Sequence, residues 1–472
     1  MIKYLISVVF LFSNIAAFAQ DSIERFSLHF KQTFVEQYHP AFQSSVGSGN
    51  KSLSNAEESD MSSISTLYLS STTWKNGEFY FNPEIAGGSG FSGATGLAGF
   101  SNGTTFRVGS TAPTLYIARL FFRQIIPLSK EKVFRESDVN ILGRMVPTER
   151  LIITFGKFSM SDIFDQNVTS HDPTSSLLNW SLMDAGAWDY SSNTRGYTYA
   201  LSVKLVKKKY IFRFCSGVNA LWSNGLVTAS NNFMPLPNDW KNAHGEIMEL
   251  ILPIKKDFSN SFKITLFANH GRMASYADAN KILQKDTSLA IRNVAGGLPT
   301  NLNDGTSHLV SPVLDNLRGL SNPYYGKAGI ILNWEMKLDK KGEMIFVRTS
   351  WNDGKRESWM YTEIDKSFTF GGFISGARFH RPEDMIRVGF ATNGISKQHA
   401  DYLQAGGYGF IIGDGLGNYP QGIKPELIAE LQYNFKYNFM ILSPDYQFVI
   451  NPAYNPARGP VHIFGLRAAF QF

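Results

Sequence analysis

The chain of 472 residues carries 45 Lys and Arg against 39 Asp and Glu, and it is rich in aromatic residues, with 37 Phe, 20 Tyr and 8 Trp beside 41 Gly. Cations spread evenly among anions argue against a nucleic-acid partner, and a single cysteine, Cys215, excludes an intramolecular disulfide. Past the first twenty residues no apolar run approaches the length of a membrane-crossing helix, and such a composition fits a transmembrane β-barrel, with a soluble β-sandwich or propeller as alternatives.

The N-terminal MIKYLISVVFLFSNIAAFAQ reads as a secretory signal: Lys3, an apolar run, then Ala17-Phe18-Ala19 as a small-residue cleavage site. Residues 1–19 are therefore expected to be removed, leaving residues 20–472 as one domain. Phe26 to Gln37 alternates at period two and reads as the first strand, followed by a polar loop over 40–63. Ser65 to Trp74 and Glu78 to Ile85 form a hairpin across Lys75-Asn76-Gly77, where Asn-Gly favours a tight reversal. In its second arm Glu78, Tyr80, Asn82 and Glu84 share one face. A Gly/Ser/Thr-rich stretch, 86–113, leads to Thr114–Pro127, TLYIARLFFRQIIP.

That segment is two-faced at period two. One side carries Tyr116, Ala118, Leu120, Phe122, Gln124 and Ile126, and the other Leu115, Ile117, Arg119, Phe121, Arg123 and Ile125. A strand with two arginines on one side needs water or carboxylates there, so the first face is expected against lipid and the second in an aqueous lumen. Further alternating segments follow at 150–158, 197–205, 210–218, 244–254, 262–269, 327–337 and 343–351. Short links (75–77, 207–209, 255–260, 339–342 and around Lys436) alternate with long ones (40–63, 86–113, 159–196, 220–243, 270–326), as periplasmic turns alternate with outer loops in outer-membrane barrels. The connection 128–149 is too long for that scheme. The chain closes on VHIFGLRAAFQF, an amphipathic strand ending in Phe472.

With these residues in view the chain resembles the carbohydrate-selective porin family of the OprB type. The likeness lies in FNPEIAGGSGFSGATGLAGFSNG (81–103), LYIARLFFRQ (115–124), GKFSMSDIFDQN (156–167), LLNWSLMDAGAWDYSSNTRGYT (177–198), RTSWNDGKRESWMYTEI (348–364) and IAELQYNFKYNFMILSPDYQFVINP (428–452), taken in order. The resemblance implies an all-β antiparallel barrel of about sixteen strands in the outer membrane of a Gram-negative cell, passing small sugars. The long 270–326 connection and its NLNDGTSHL segment have no counterpart in the resemblance.

A sugar-preferring pore needs charged groups that bond vicinal hydroxyls and aromatic surface for the ring, held weakly enough for passage. Arg119 and Arg123, about 13 Å apart along one strand face, are the first candidates, with Glu84 as their counter-charge. Arg213 faces inward by the same parity, as do Arg348, Glu426, Glu430 and Arg467, which read as generic lumen charge. Trp180 and Trp188 lie in the 159–196 connection, long enough to fold into the barrel, and are candidates for stacking on sugar. No catalytic residue is expected, because no nucleophile elbow occurs. No metal or cofactor is expected either: Asp162, Asp165 and Asn167 lack calcium-loop spacing, 406–417 lacks the Lys-Ser/Thr of a P-loop, and the nine histidines form no ligand pair. Expected partners are small sugars, outer-membrane lipid and the barrel assembly machinery acting on the strand that ends in Phe472; a homo-oligomer could add further copies. A general or anion-preferring porin is the alternative, and an outer-membrane barrel lipase a more distant one.

Overall fold

The computed structural model describes residues 24–47, 52–107, 111–219, 240–255, 257–287, 313–314, 317, 324–338, 342–358, 362–413 and 419–472. The expected signal segment, 1–19, and NLNDGTSHL lie outside them. Sixteen antiparallel strands close into a barrel: β1 (Phe26–His39), β2 (Glu58–Thr72), β3 (Gly77–Gly88), β4 (Thr114–Pro127), β7 (Arg150–Phe158), β8 (Thr198–Val206), β9 (Ile211–Val218), β10 (His244–Lys255), β11 (Asp257–Arg272), β12 (Tyr324–Lys337), β13 (Met344–Asn352), β14 (Lys366–Ser375), β15 (Met385–Gly394), β16 (Glu426–Tyr437), β17 (Met440–Ile450) and β18 (Val461–Gln471). β5 (Lys132–Arg135) and β6 (Arg144–Pro147) pair separately as a hairpin within the over-long 128–149 connection.

Each neighbouring pair is antiparallel, and β18 pairs with β1 to remove both sheet edges. The last residue takes part in the closure, since Phe472 N–H donates to Phe30 O at 3.0 Å and Phe30 N–H to Phe472 O at 3.1 Å. The Phe472 ring stacks on Phe439, with centroids 4.8 Å apart, at the rim that bears the short turns. Outward positions are apolar, among them Phe155, Leu201, Phe370, Leu431 and Leu466, all exposed. Without a surrounding hydrocarbon phase that surface would be far larger than any tolerated in water.

The turn end follows sequence logic. Asn76 (φ 59°) and Asn438 (φ 53°) take the left-handed conformation that Asn tolerates in tight reversals. At the other end the long connections turn inward. Residues 89–107 and 159–197 pack against one another inside the barrel, joined by Gly103 N–H to Leu178 O (2.7 Å) and Trp180 N–H to Phe100 O (2.9 Å). Their interior cluster includes Phe91, Leu97, Phe100, Leu177, Leu182 and Ile428. Gly99 is required at this approach, because a Cβ there would lie 2.4 Å from Ser181 Oγ and 2.6 Å from Ile428 Cδ1.

One departure from strict alternation shapes the lumen. β3 and β4 shift register between Asn82, which pairs with Arg119, and Pro83, which pairs with Ile117, leaving Ala118 as the extra residue of a β-bulge. The expected parity of Thr114–Pro127 therefore holds only beyond the bulge. Before it Leu115 and Ile117 face lipid, 66% and 43% exposed, while Tyr116 and Ala118 are buried toward the interior at 6% and 0%. Tyr116 thus joins the arginine face, which corrects its expected lipid-facing position.

Candidate functional site: the channel constriction

The inward loop 159–197 fills the side of the barrel bounded by β10–β18 and leaves an open cavity of about 660 Å³ along β1–β4 and β7–β9. Wall charges hold that loop. Arg348 Nη1 donates to Asp165 Oδ2 at 2.8 Å and its Nη2 to Leu182 O at 2.6 Å. Glu430 accepts the Leu178 and Asn179 N–H groups at 2.5 and 3.0 Å, and Arg467 donates to Pro173 O (2.8 Å) and Ser176 O (2.5 Å). Glu426 does the same for the neighbouring loop, accepting from Ala98, Gly99 and Ala453 N–H at 2.7–2.9 Å. The charges read as generic lumen lining are therefore loop anchors. Each offers a buried backbone group the partner it needs where no strand can.

The edge of the loop reaches the opposite wall across the cavity. Asp162, in a single 3-10 turn at Met160–Asp162 capped by Ser159, clamps Arg119 through two parallel bonds, Nε to Oδ2 at 2.7 Å and Nη2 to Oδ1 at 2.6 Å. The guanidinium lies 5.1 Å above the Tyr197 ring centroid. Its Nη1 makes no hydrogen bond among the described residues. Glu84, on β3, accepts hydrogen bonds from Thr66 Oγ1 (2.6 Å), from the Tyr197 hydroxyl (3.1 Å to Oε1) and from the Tyr116 hydroxyl. The bulge at Ala118 is what lets Tyr116 and Arg119 face the same cavity.

Glu84 was expected to counter both arginines, yet each pairs with another carboxylate: Arg119 with Asp162, and Arg123 with Glu78 at 3.7 Å. Arg123 also donates to Tyr80 Oη and Asn140 O, both at 3.0 Å, and so belongs to the hairpin of β5 and β6. Arg213 lines the cavity but is engaged by Glu249 at 2.8 Å and by Ile163 O. Trp180 borders the cavity, 7% exposed, with Nε1–H donating to Asn102 O at 3.0 Å. Trp188, 2% exposed, packs on Tyr190 with centroids 4.7 Å apart and does not border the cavity, because the loop folds its ring against the wall.

Arg195 was not foreseen. It lies on the loop, where parity says nothing, with its guanidinium 3.4 Å from the Phe106 centroid and 5.3 Å from that of Tyr116. All three of its nitrogens lack a hydrogen-bond partner among the described residues. In the sequence Asp162 reads only as part of an incomplete calcium loop, because its partner Arg119 lies 43 residues away on another element. Among the described residues no cluster of three His, Cys, Asp or Glu is arranged to hold a metal.

A closed antiparallel barrel with short turns on one rim, long inward loops on the other and a charged, loop-narrowed lumen defines a porin of the Gram-negative outer membrane. Residues 69–472 match the model of the carbohydrate-selective porin, OprB family, and the chain belongs to that family. It is a sugar channel and not an enzyme. The fold is similar to OprB of Pseudomonas putida in its high-pH structure, with TM-score 0.64 and 15% identity over 95% of this chain and 94% of that one. The outer membrane channel DcaP of Acinetobacter baumannii aligns at TM-score 0.49 and 10% identity, covering 97% of this chain and 100% of that one. No curated protein sequence matches the chain.

Proposed function

We propose that passive diffusion of small sugars is made selective at the Arg119–Asp162 clamp, beside Glu84 with its ring of hydroxyls. The observation that carries this reading is the bidentate geometry. It occupies Nε and Nη2, leaves Nη1 to donate, and presents a carboxylate 29% exposed on its side chain. A sugar's adjacent hydroxyls can then accept from the arginine and donate to Asp162. Tyr197, Trp180 and the Arg195–Phe106 stack offer flat surface for the C–H face of the ring. Arg123 and Arg213 act in this reading as supports of the hairpin and the loop.

Arg119→Ala is expected to weaken block of the ion current by glucose by roughly ten- to a hundredfold, since a charge-assisted hydrogen bond contributes roughly 1.5–3 kcal/mol. Arg123→Ala should change it less. Planar-bilayer recordings across a glucose titration, with heat-modifiable gel mobility as the folding check, measure both. Glucose block in Arg119→Ala equal to that of the unaltered protein would sink this assignment. Reversal potentials separate a sugar-preferring from an anion-preferring pore. In the same reading residues 1–19 are a cleaved signal, Phe472 is the contact for assembly, and outer-membrane lipid covers the apolar outer face.

A further inference from the structure

The over-long connection 128–149 lies at the turn end, and its β5–β6 hairpin folds back under the lumen, so that Asp138 to Ile141 border the same cavity as Arg119. The hairpin is fixed there by Glu78, which is 0% exposed. Glu78 accepts from Arg135 Nη2 at 2.5 Å and from Tyr80 Oη at 2.7 Å, with Arg144 and Arg123 guanidinium nitrogens at 3.6 and 3.7 Å. The channel therefore has a second, walled segment between the constriction and the periplasm.

Charge in that segment is predominantly positive, since Arg123, Arg135, Arg150, Lys204 and Arg213 line it against the exposed Asp138. Register places Lys204 of β8 directly opposite Arg213 of β9, in the row of Ile152 and Ile125. This row is six residues past Arg119, or about 20 Å along the strand. The wall carboxylates here, Glu78 and Glu249, are withdrawn behind arginines with no exposed side-chain surface. Lys204 is partly open to the cavity and makes no hydrogen bond or ion pair among the described residues. Arg150 lines the same space and donates only through Nη1, to Pro147 O at 2.7 Å and Thr148 O at 3.5 Å, with no carboxylate partner among the described residues. Asp138, on the exposed hairpin, already has its Oδ1 taken by Val139 N–H at 2.7 Å.

Two cations open to the cavity, beside wall carboxylates that are not and with Asp138 of the hairpin as the exposed acid of this segment among the described residues, leave a net positive field with free donors. A neutral sugar gains little from it. We propose that the periplasmic segment is a second station, at which Lys204 and Arg150 take the carboxylate or phosphate of an acidic monosaccharide after it has passed Arg119. The proposal rests on the cavity being the sugar path. It extends the solute range of the channel to acidic sugars and gives the hairpin a purpose, namely to narrow the exit so that these cations reach the solute.

The test is current block in planar bilayers with the full-length mature protein, adding glucose, glucuronate or glucose 6-phosphate from the periplasmic side. In the unaltered protein both acidic sugars should block more strongly than glucose, and the difference should shrink as salt rises from 0.1 to 1 M, in the manner of a screened interaction. The Lys204→Gln, Arg150→Gln double variant should lose about tenfold in apparent affinity for the acidic sugars and keep the glucose block. Glucuronate tighter than glucose 6-phosphate would mark the carboxylate as the better ligand, and the reverse order the phosphate, each supporting the station. Equal block by glucose and both acidic sugars, or acidic-sugar block unchanged in the double variant, overturns the station and leaves the sugar constriction standing. Acidic-sugar block with none by glucose removes the constriction reading and leaves the station.

Discussion

At the scale of single residues, the channel depends on one extra amino acid. Ala118 bulges from β4 opposite the Asn82-Pro83 step and turns Tyr116 from lipid to lumen, where its hydroxyl meets Glu84. Tyr116→Phe keeps the ring and removes that donor. A buried carboxylate that loses one of its donors costs roughly 1–3 kcal/mol, so the variant should unfold at lower urea concentration in detergent while its barrel stays sixteen-stranded. Glucose block should weaken only modestly, because Arg119 and Asp162 are untouched. A urea midpoint equal to that of the unaltered protein would show that Thr66 and Tyr197 satisfy Glu84 alone. Parity placed Arg119, Arg123, Glu84 and Arg213 in the lumen, and they line it. Parity could not place Tyr116, because a bulge leaves no mark beyond a proline in the neighbouring strand. It also could not say which carboxylate each arginine meets, since Asp162 arrives from a loop.

At the scale of elements, the inward loop behaves as a cast filling held by wall charges. Arg348 and Asp165 are each 1% exposed on their side chains and tie β13 to the loop. Arg348→Met leaves Asp165 buried without its cation, which costs about 3–5 kcal/mol. The loop should then leave its seat, and single-channel records should show a larger, noisier open current. Adding Asp165→Leu should recover much of the lost stability, because a buried pair replaced by apolar groups is nearly neutral. The same seat explains why β14 and β15 escaped sequence reading whereas β4 and β18 did not. Where the loop packs closest, the inward residue of β15 is Gly389, and a Cβ there would lie 2.7 Å from Leu177 Cδ1. Gly371 pairs with it across the sheet from β14. Glycines at inward positions erase the alternation that marks a strand. The long and short connections were legible for the opposite reason: chain length survives whatever the packing, and even the anomalous 128–149 link proved to hold a separate hairpin.

At the scale of the whole molecule, the wall is a closed hydrogen-bonded sheet and the loop inside it titrates. His171 Nδ1 lies 3.2 Å from Asp184 Oδ1. Burial alone would lower the imidazole pKa, but the hydrogen bond and charge of Asp184 outweigh it and hold His171 above its ordinary value. Burial pushes Asp165 up to about 6 against the opposing charge of Arg348. A histidine raised in the folded state adds stability that is present below about pH 6.5 and lost as pH rises through the folded value. A carboxyl raised in the folded state acts in the same sense, since the native form binds more protons between about pH 4 and 6, and stability falls as pH rises across that window. Asp172, held far below the usual carboxylate range by Lys31 at 2.8 Å although burial opposes this, works the other way, but only below about pH 4. From pH 5 to pH 8 the loop should therefore become progressively easier to unseat. Amide hydrogen exchange over 165–190, corrected for its intrinsic pH dependence, should show protection decreasing across this range while the strands stay protected. In His171→Gln the decrease above pH 6.5 should vanish and the part below pH 6 persist. Protection that rises with pH, or a His171→Gln profile identical to that of the unaltered protein, would place the control of the loop elsewhere than in its buried acid and histidine.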